Sequence, residues 1–209
     1  RTSDLVFNIH IPGGKTGNLN IFGFNGSSKI GRLAKRDYYK WSGLSDRWEE
    51  MEKQSSGILG VKHYLTLPGS GTYIRSVMAF TRFSNSYYEG YVDSSYSRSD
   101  SYFYDYSYPS LRYALLVNHK LNASNTFRAG LNYNYLTGKM GNYKLNSGGT
   151  YDTLVAPSDR GNLIQSYLQW KFRTASGLEI NSGIHVLHFS RNEQTSIEPR
   201  IGMRWQITS

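Results

Sequence analysis

The chain has 209 residues, 38% of them hydrophobic and 19% charged, with 18 Tyr, 9 Phe, 4 Trp and 21 Gly. Its longest apolar runs, such as Ala114-Leu115-Leu116-Val117, fall far short of the ~18–20 residues of a membrane-spanning helix. The absence of cysteine excludes disulfide frameworks, thiolate metal sites and cysteine nucleophiles, while a net charge of +9 raises a nucleic-acid reading that is weighed below.

Aromatic residues and glycine at this abundance favour strands and turns, and alternation with period two runs through the chain. Side chains one apart on a strand point to opposite faces. Leu5, Phe7, Ile9 and Ile11 alternate with Val6, Asn8 and His10. The turn Pro12–Gly17 leads to a second strand, about Asn18 to Asn25. The stretch 27–55 reads as a long charged connection, with Lys29, Arg32, Lys35, Arg36, Lys40 and Arg47 set against Asp37, Asp46, Glu49, Glu50 and Glu52. Its segment Ser45–Glu52 reads as a short helix with Ser45 as its N-cap. A third strand carries Leu59, Val61, His63, Leu65 and Leu67 on one face. The turn Pro68–Gly71 precedes a fourth, about Tyr73 to Phe83.

The second half is cleaner. Leu111, Tyr113, Leu115, Val117, His119 and Leu121 oppose Arg112, Ala114, Leu116, Asn118 and Lys120. After the turn Asn122–Asn125, Phe127, Ala129, Leu131, Tyr133 and Tyr135 oppose Arg128, Gly130, Asn132 and Asn134. Ile164, Ser166, Leu168, Trp170 and Phe172 form one face of the next strand. The turn Thr174–Gly177 leads to Leu178, Ile180, Ser182, Ile184 and Val186. The last strand sets Ile197, Pro199, Ile201, Met203, Trp205 and Ile207 against Glu198, Arg200, Gly202, Arg204 and Gln206.

These are about nine strands. Short connections near 12–17, 68–71, 122–125 and 174–177 alternate with long ones near 27–55, 85–110, 138–162 and 190–195. Short turns at one end and long loops at the other, between strands of about ten residues, is the pattern of an all-β, antiparallel transmembrane β-barrel. The apolar face would meet lipid and the polar face a watery lumen. Aromatics near strand ends, including Tyr64, Tyr73, Trp170 and Trp205, suit interfacial belts. Arg112, Lys120, Arg128, Asn132, Lys171, Arg173, Arg200 and Arg204 would then face the lumen. Single-chain bacterial barrels use even strand numbers, so nine strands imply a portion of something larger. At about 23 residues per strand, a 22-stranded transporter barrel needs roughly 510, and residues 1–209 would be about two fifths of one. No signal peptide, plug or TonB box is seen, and a start without Met reads as a processed or truncated product.

Some segments resemble a known family. Asp4-Leu5-Val6-Phe7-Asn8-Ile9-His10-Ile11-Pro12, then Gly14-Lys15 and Leu19-Asn20-Ile21-Phe22-Gly23, are similar to barrel strands of Bacteroidetes TonB-dependent outer-membrane receptors. So are Gly60-Val61-Lys62-His63-Tyr64-Leu65 and Ser196-Ile197-Glu198-Pro199-Arg200-Ile201-Gly202-Met203-Arg204-Trp205, the most specific of these. The type resembled is SusC-like, with a carboxypeptidase-regulatory-like domain ahead of its plug. The resemblance implies energised import of a bulky nutrient across the bacterial outer membrane. It implies outer-membrane lipid and lipopolysaccharide as surroundings, a surface lipoprotein as partner, and TonB contact only through a plug absent from this sequence. The ending Ile207-Thr208-Ser209 departs from the family's aromatic C-terminal strand.

The most unusual stretch is 85–110, where Tyr87, Tyr88, Tyr91, Tyr96, Tyr102, Tyr104, Tyr106 and Tyr108 are mixed with Ser and Asp. A tyrosine offers a flat apolar ring and a hydroxyl, suited to stacking on sugar rings or peptide groups. The stretch reads either as an extracellular ligand-binding loop or as two strands prolonged above the membrane. The basic half of 29–53 reads as a solvated loop or a contact for lipopolysaccharide phosphates. No catalytic constellation frames the Ser, His and Asp present. His185 and His188 fall on opposite strand faces, a poor metal pair, and no cofactor is implied. Two other readings stand beside the receptor: a complete small outer-membrane barrel with an adhesive or structural role, and a soluble basic β protein binding nucleic acid. The second is disfavoured because the cations are spread over every strand.

Overall fold

A computed structural model describes residues 1–207; Thr208 and Ser209, part of the ending noted above, lie outside the described residues. The chain forms one antiparallel sheet of ten strands with almost no helix. In chain order these are β1 (Thr2–Pro12), β2 (Asn18–Arg32), β3 (Trp48–Leu67), β4 (Thr72–Val92), β5 (Arg98–Lys120), β6 (Asn125–Leu145), β7 (Tyr151–Val155), β8 (Ser158–Arg173), β9 (Leu178–Phe189) and β10 (Gln194–Trp205). Neighbours in sequence pair in space, except that β6 pairs with β8, and short β7 sits beside the far end of β6. The nine expected strands are therefore present, and β7 is an addition. The sheet is not closed: β1 and β10 are its edges.

The four short turns fall where expected, but the expected contrast in length is only partly present: at the other end 33–47 is long, while 93–97 and 190–193 are as short as the turns opposite. The connections at 13–17, 68–71, 121–124 and 174–177 lie at one end. Gly71 shows why such turns are tight. It sits at φ +62°, and a Cβ there would come within 2.6 Å of the Lys120 carbonyl oxygen. At the other end the strands run much further than their alternation suggests. β4 and β5 are 21 and 23 residues long, joined only by Asp93–Ser97. The stretch 85–110 is thus a prolonged hairpin and not a loop. The expected helix over Ser45–Glu52 is corrected too. A single turn, α1 (Leu44–Arg47), follows Gly43, and β3 begins at Trp48.

Register lines the apolar positions up across the whole sheet. One row runs Ile9, Ile21, Val61, Met78, Tyr113, Tyr133, Ile164. The runs Leu59–Leu67, Phe127–Tyr135, Ile164–Phe172, Leu178–Val186 and Ile197–Trp205 each span nine residues. This band is oblique to the hydrogen-bond rows. The row through Ile9 reaches β10 at Thr195, six residues from Ile201, the centre of that strand's own apolar run. Six residues is about 20 Å and eight ladder steps about 38 Å, so the band is inclined by roughly 30° to the rows.

Nothing covers the band. Ile201 is 83% exposed, Met203 73% and Leu168 53%. Among the described residues the only buried hydrophobics are Ala34, Met51, Ala79 and Val92. The accessible surface is 14212 Å², against roughly 9900 Å² for a compact monomer of 23.8 kDa. A ladder of hydrogen bonds holds the sheet, and no core of its own lies beneath it.

Candidate functional site

The polar face divides into two zones. Near the short turns it holds Arg112, Lys120, Arg128, Asn132, Lys171, Arg200 and Arg204, all on one side of the sheet as their alternation requires. Several are tied to neighbours. Lys171 Nζ lies 2.7 Å from Glu179 Oε1, and Arg173 lies 2.7 Å from its Oε2. Arg200 pairs with Glu198 at 2.5 Å. Arg128 Nε donates to Asn118 Oδ1 at 3.4 Å, and Arg112 Nε to Ser110 Oγ at 3.3 Å. Lys171, Arg173 and Arg200 are thus ion-paired, whereas Arg112 and Arg128 bond to neutral side chains.

The second zone is an aromatic platform on the far halves of β4 and β5. The tyrosines of 85–110 separate into three places. Tyr87, Tyr102, Tyr104, Tyr106 and Tyr108 share the polar face. Tyr104 stacks on Tyr106, with centroids 4.6 Å apart and planes at 12°, and on Tyr87 at 5.5 Å and 23°. Tyr102 meets Tyr104 edge-on at 6.2 Å, and Tyr108 stacks on Phe83 at 6.3 Å. Tyr88 is on the opposite face, with the Arg98 guanidinium 3.5 Å from its ring centroid. Tyr91 packs edge-on against Trp48, and Tyr96, at φ 61° in the hairpin turn, against Trp41.

Hydrogen bonding fixes the platform. Tyr87 donates to Glu89 Oε2 at 2.7 Å, and Asn85 Nδ2 donates to Glu52 Oε1 at 3.2 Å. Asn142 Nδ2 reaches the Tyr106 hydroxyl at 3.5 Å. The Oδ1 atoms of Asn85 and Asn142 are buried without a partner. Burial, then the bond to Glu89, pushes the Tyr87 hydroxyl pKa well up; burial and the Glu52 charge do the same for Tyr104. Both stay protonated donors in neutral water. Glu50, Glu52 and Glu89 lie in register beside these rings; in the sequence Glu50 and Glu52 read as charges of a long connection, and Glu89 is not marked. Their signal was parity with Tyr87 across the β3–β4 ladder, hidden because both faces there are polar. Stacked rings, hydroxyl donors and flanking carboxylates suit a ligand with flat, hydroxyl-bearing rings and repel a polyanion.

Over this end folds the segment 33–47. Asp46 is buried, accepts from Ser42 N at 2.8 Å, and pairs with Lys35 at 2.8 Å. The Lys35 ammonium and the Ser42 amide hold its carboxyl at about 2. Arg47 donates to the Val92 carbonyl at 2.9 Å and sits over the Trp41 ring, fastening the segment to the hairpin tip. No family model and no curated protein matches this chain.

Proposed function

We propose that this chain is part of the wall of a TonB-dependent outer-membrane receptor that imports a bulky nutrient. The observation that carries the membrane part is the uncovered apolar band, continuous over nine strands. A sheet face this size exposed to water would drive association. Its nine-residue height suits a strand crossing the hydrocarbon layer, and its slope of roughly 30° is near the 35–45° strand tilt of such barrels. Lipid supplies the missing cover. The polar face then lines the lumen, short turns face the periplasm, and the tyrosine platform stands outside. A nine-stranded meander bent round on itself would bring β1 and β10 together parallel, so further strands continue the antiparallel wall from its edges.

Import of a nutrient and coupling to TonB rest on the family resemblance and on the outward tyrosine platform, placed where a ligand would first be met. Two experiments test the reading. The protein in its native membrane should fractionate with outer membrane and migrate differently on gels before and after boiling. Uptake dependent on it should vanish when TonB is deleted. Recovery in the soluble fraction without detergent would overturn the membrane part; TonB-independent uptake would overturn the transport part.

A further inference from the structure

On the apolar face, just past the band toward the long-connection end, the register aligns a row of serines. It runs Ser3, Ser27, Ser55, Ser84, Ser107, then Lys139 and Ser158. Around this row the same face carries Lys29, Lys53, Arg82, Lys139 and Arg160, all exposed, and one exposed carboxylate, Asp105, in the ladder row of Lys29 and Lys53. None of the five cations forms an ion pair among the described residues. Of the cations on the opposite face, Lys171, Arg173 and Arg200 are ion-paired, while Arg112, Lys120, Arg128 and Arg204 are in no ion pair among the described residues. Lys29 and Lys53 stand directly opposite each other, a like-charge juxtaposition that costs stability unless an anion bridges it.

Two shallow clefts open here. One, about 400 Å³, is lined by Arg1, Lys29, Lys53 and the serines beside them. The other, about 590 Å³, is lined by Lys139, Arg160, Ser107 and Ser158. The one carboxylate in the second, Asp159, is engaged by Arg191 at 2.5 Å. The first cleft thus offers three cations and the second two, none in an ion pair among the described residues, with several hydroxyl donors, the complement of a phosphate group. Each also lies directly above the greasy band.

We infer that this belt holds the phosphate headgroups of outer-leaflet lipids, with their acyl chains on the apolar band below. The inference rests on the membrane reading above. An amphiphile fits both halves at once: cations and hydroxyls bind its head, and the band accepts its tails. Free phosphate would use only the clefts, and a nucleic acid would have no use for the band.

The test uses the full-length protein in phosphatidylcholine bilayers doped with spin-labelled phosphatidic acid, and reads the lipid held at the protein perimeter. Phosphatidic acid should be enriched several-fold over spin-labelled phosphatidylcholine. The K29Q/K53Q and K139Q/R160Q variants should each lose part of that preference, and the fourfold variant nearly all of it, while heat-modifiable migration stays unchanged to show the fold is intact. Millimolar inorganic phosphate should leave the enrichment in place. Insertion with no phosphatidic acid preference, or preference unaltered in the fourfold variant, would overturn the inference while leaving the membrane reading standing. Displacement by inorganic phosphate, or equal binding of a short single-stranded oligonucleotide through these residues, would overturn it in favour of a free-anion or polyanion site. Failure to enter bilayers at all would strike the membrane reading itself.

Discussion

The two ends of the sheet are built on different physics. The half toward the short turns separates apolar from polar cleanly between its faces and buries almost nothing, so its stability is lent by whatever lies against it. The half toward the long connections is polar on both faces and packs against itself, with Met51 and Val92 buried, tyrosines stacked, and the segment 33–47 folded over the hairpin tip. On the membrane reading proposed above, solvent accounts for the contrast. A strand between oil and water must alternate, whereas a strand with water on both sides must find partners among its own side chains.

The comparison breaks most sharply at Met51, 4% exposed. Met51→Ala should cost about 2–5 kcal/mol, read as faster hydrogen exchange in the far halves of β3 and β4 with the band unaffected. If the band opened equally, the halves would be one unit. In the other half, Leu131→Arg should cost roughly 2–4 kcal/mol near the bilayer midplane, and Asn132→Arg, one residue on and facing the other way, should cost little. Denaturant titration of heat-modifiable migration reads both; equal effects would erase the two faces. Tyr104→Ala removes stacks on both sides and should cost about 0.5–1.5 kcal/mol beyond lost area, visible as local opening of β5 and not as global unfolding.

The smallest effect concerns acid. The folded pKa of Asp46 is about 2, below the ~3.9 of a free aspartate. A depressed carboxylate contributes stability above its unfolded pKa and loses it as pH falls toward the folded one. The segment 33–47 should therefore resist pepsin near pH 4 and become cleavable as pH approaches 2. In Asp46→Asn that protection should already be weak at pH 4. Cleavage independent of pH would show that the pair with Lys35 holds nothing down.

What the sequence reveals follows the same division. All nine strands of the band are legible, down to the face of Arg128 against Leu131, because an apolar face and a polar face alternate cleanly along each of them. The far ends are not. Ser45–Glu52 looks helical with Ser45 as its N-cap, yet Trp48 starts a strand whose Glu50 and Glu52 meet Glu89 and Tyr87 across the ladder. β7, five exposed residues, carries no periodic signature at all. The tyrosines announce themselves by number. Their sorting depends on pairing partners and on the register shift at Glu89/Gly90, which composition does not encode.

The oblique course of the apolar band sets terms for any neighbour. A strand joining β10 must begin its greasy stretch on average just under one residue nearer the short turns, and one joining β1 must be offset the opposite way. On the membrane reading, a flush-set strand would push a polar side chain into oil at one end and leave a bare apolar one at the other. On that reading, each edge would act as a template that screens newcomers by where their alternation starts.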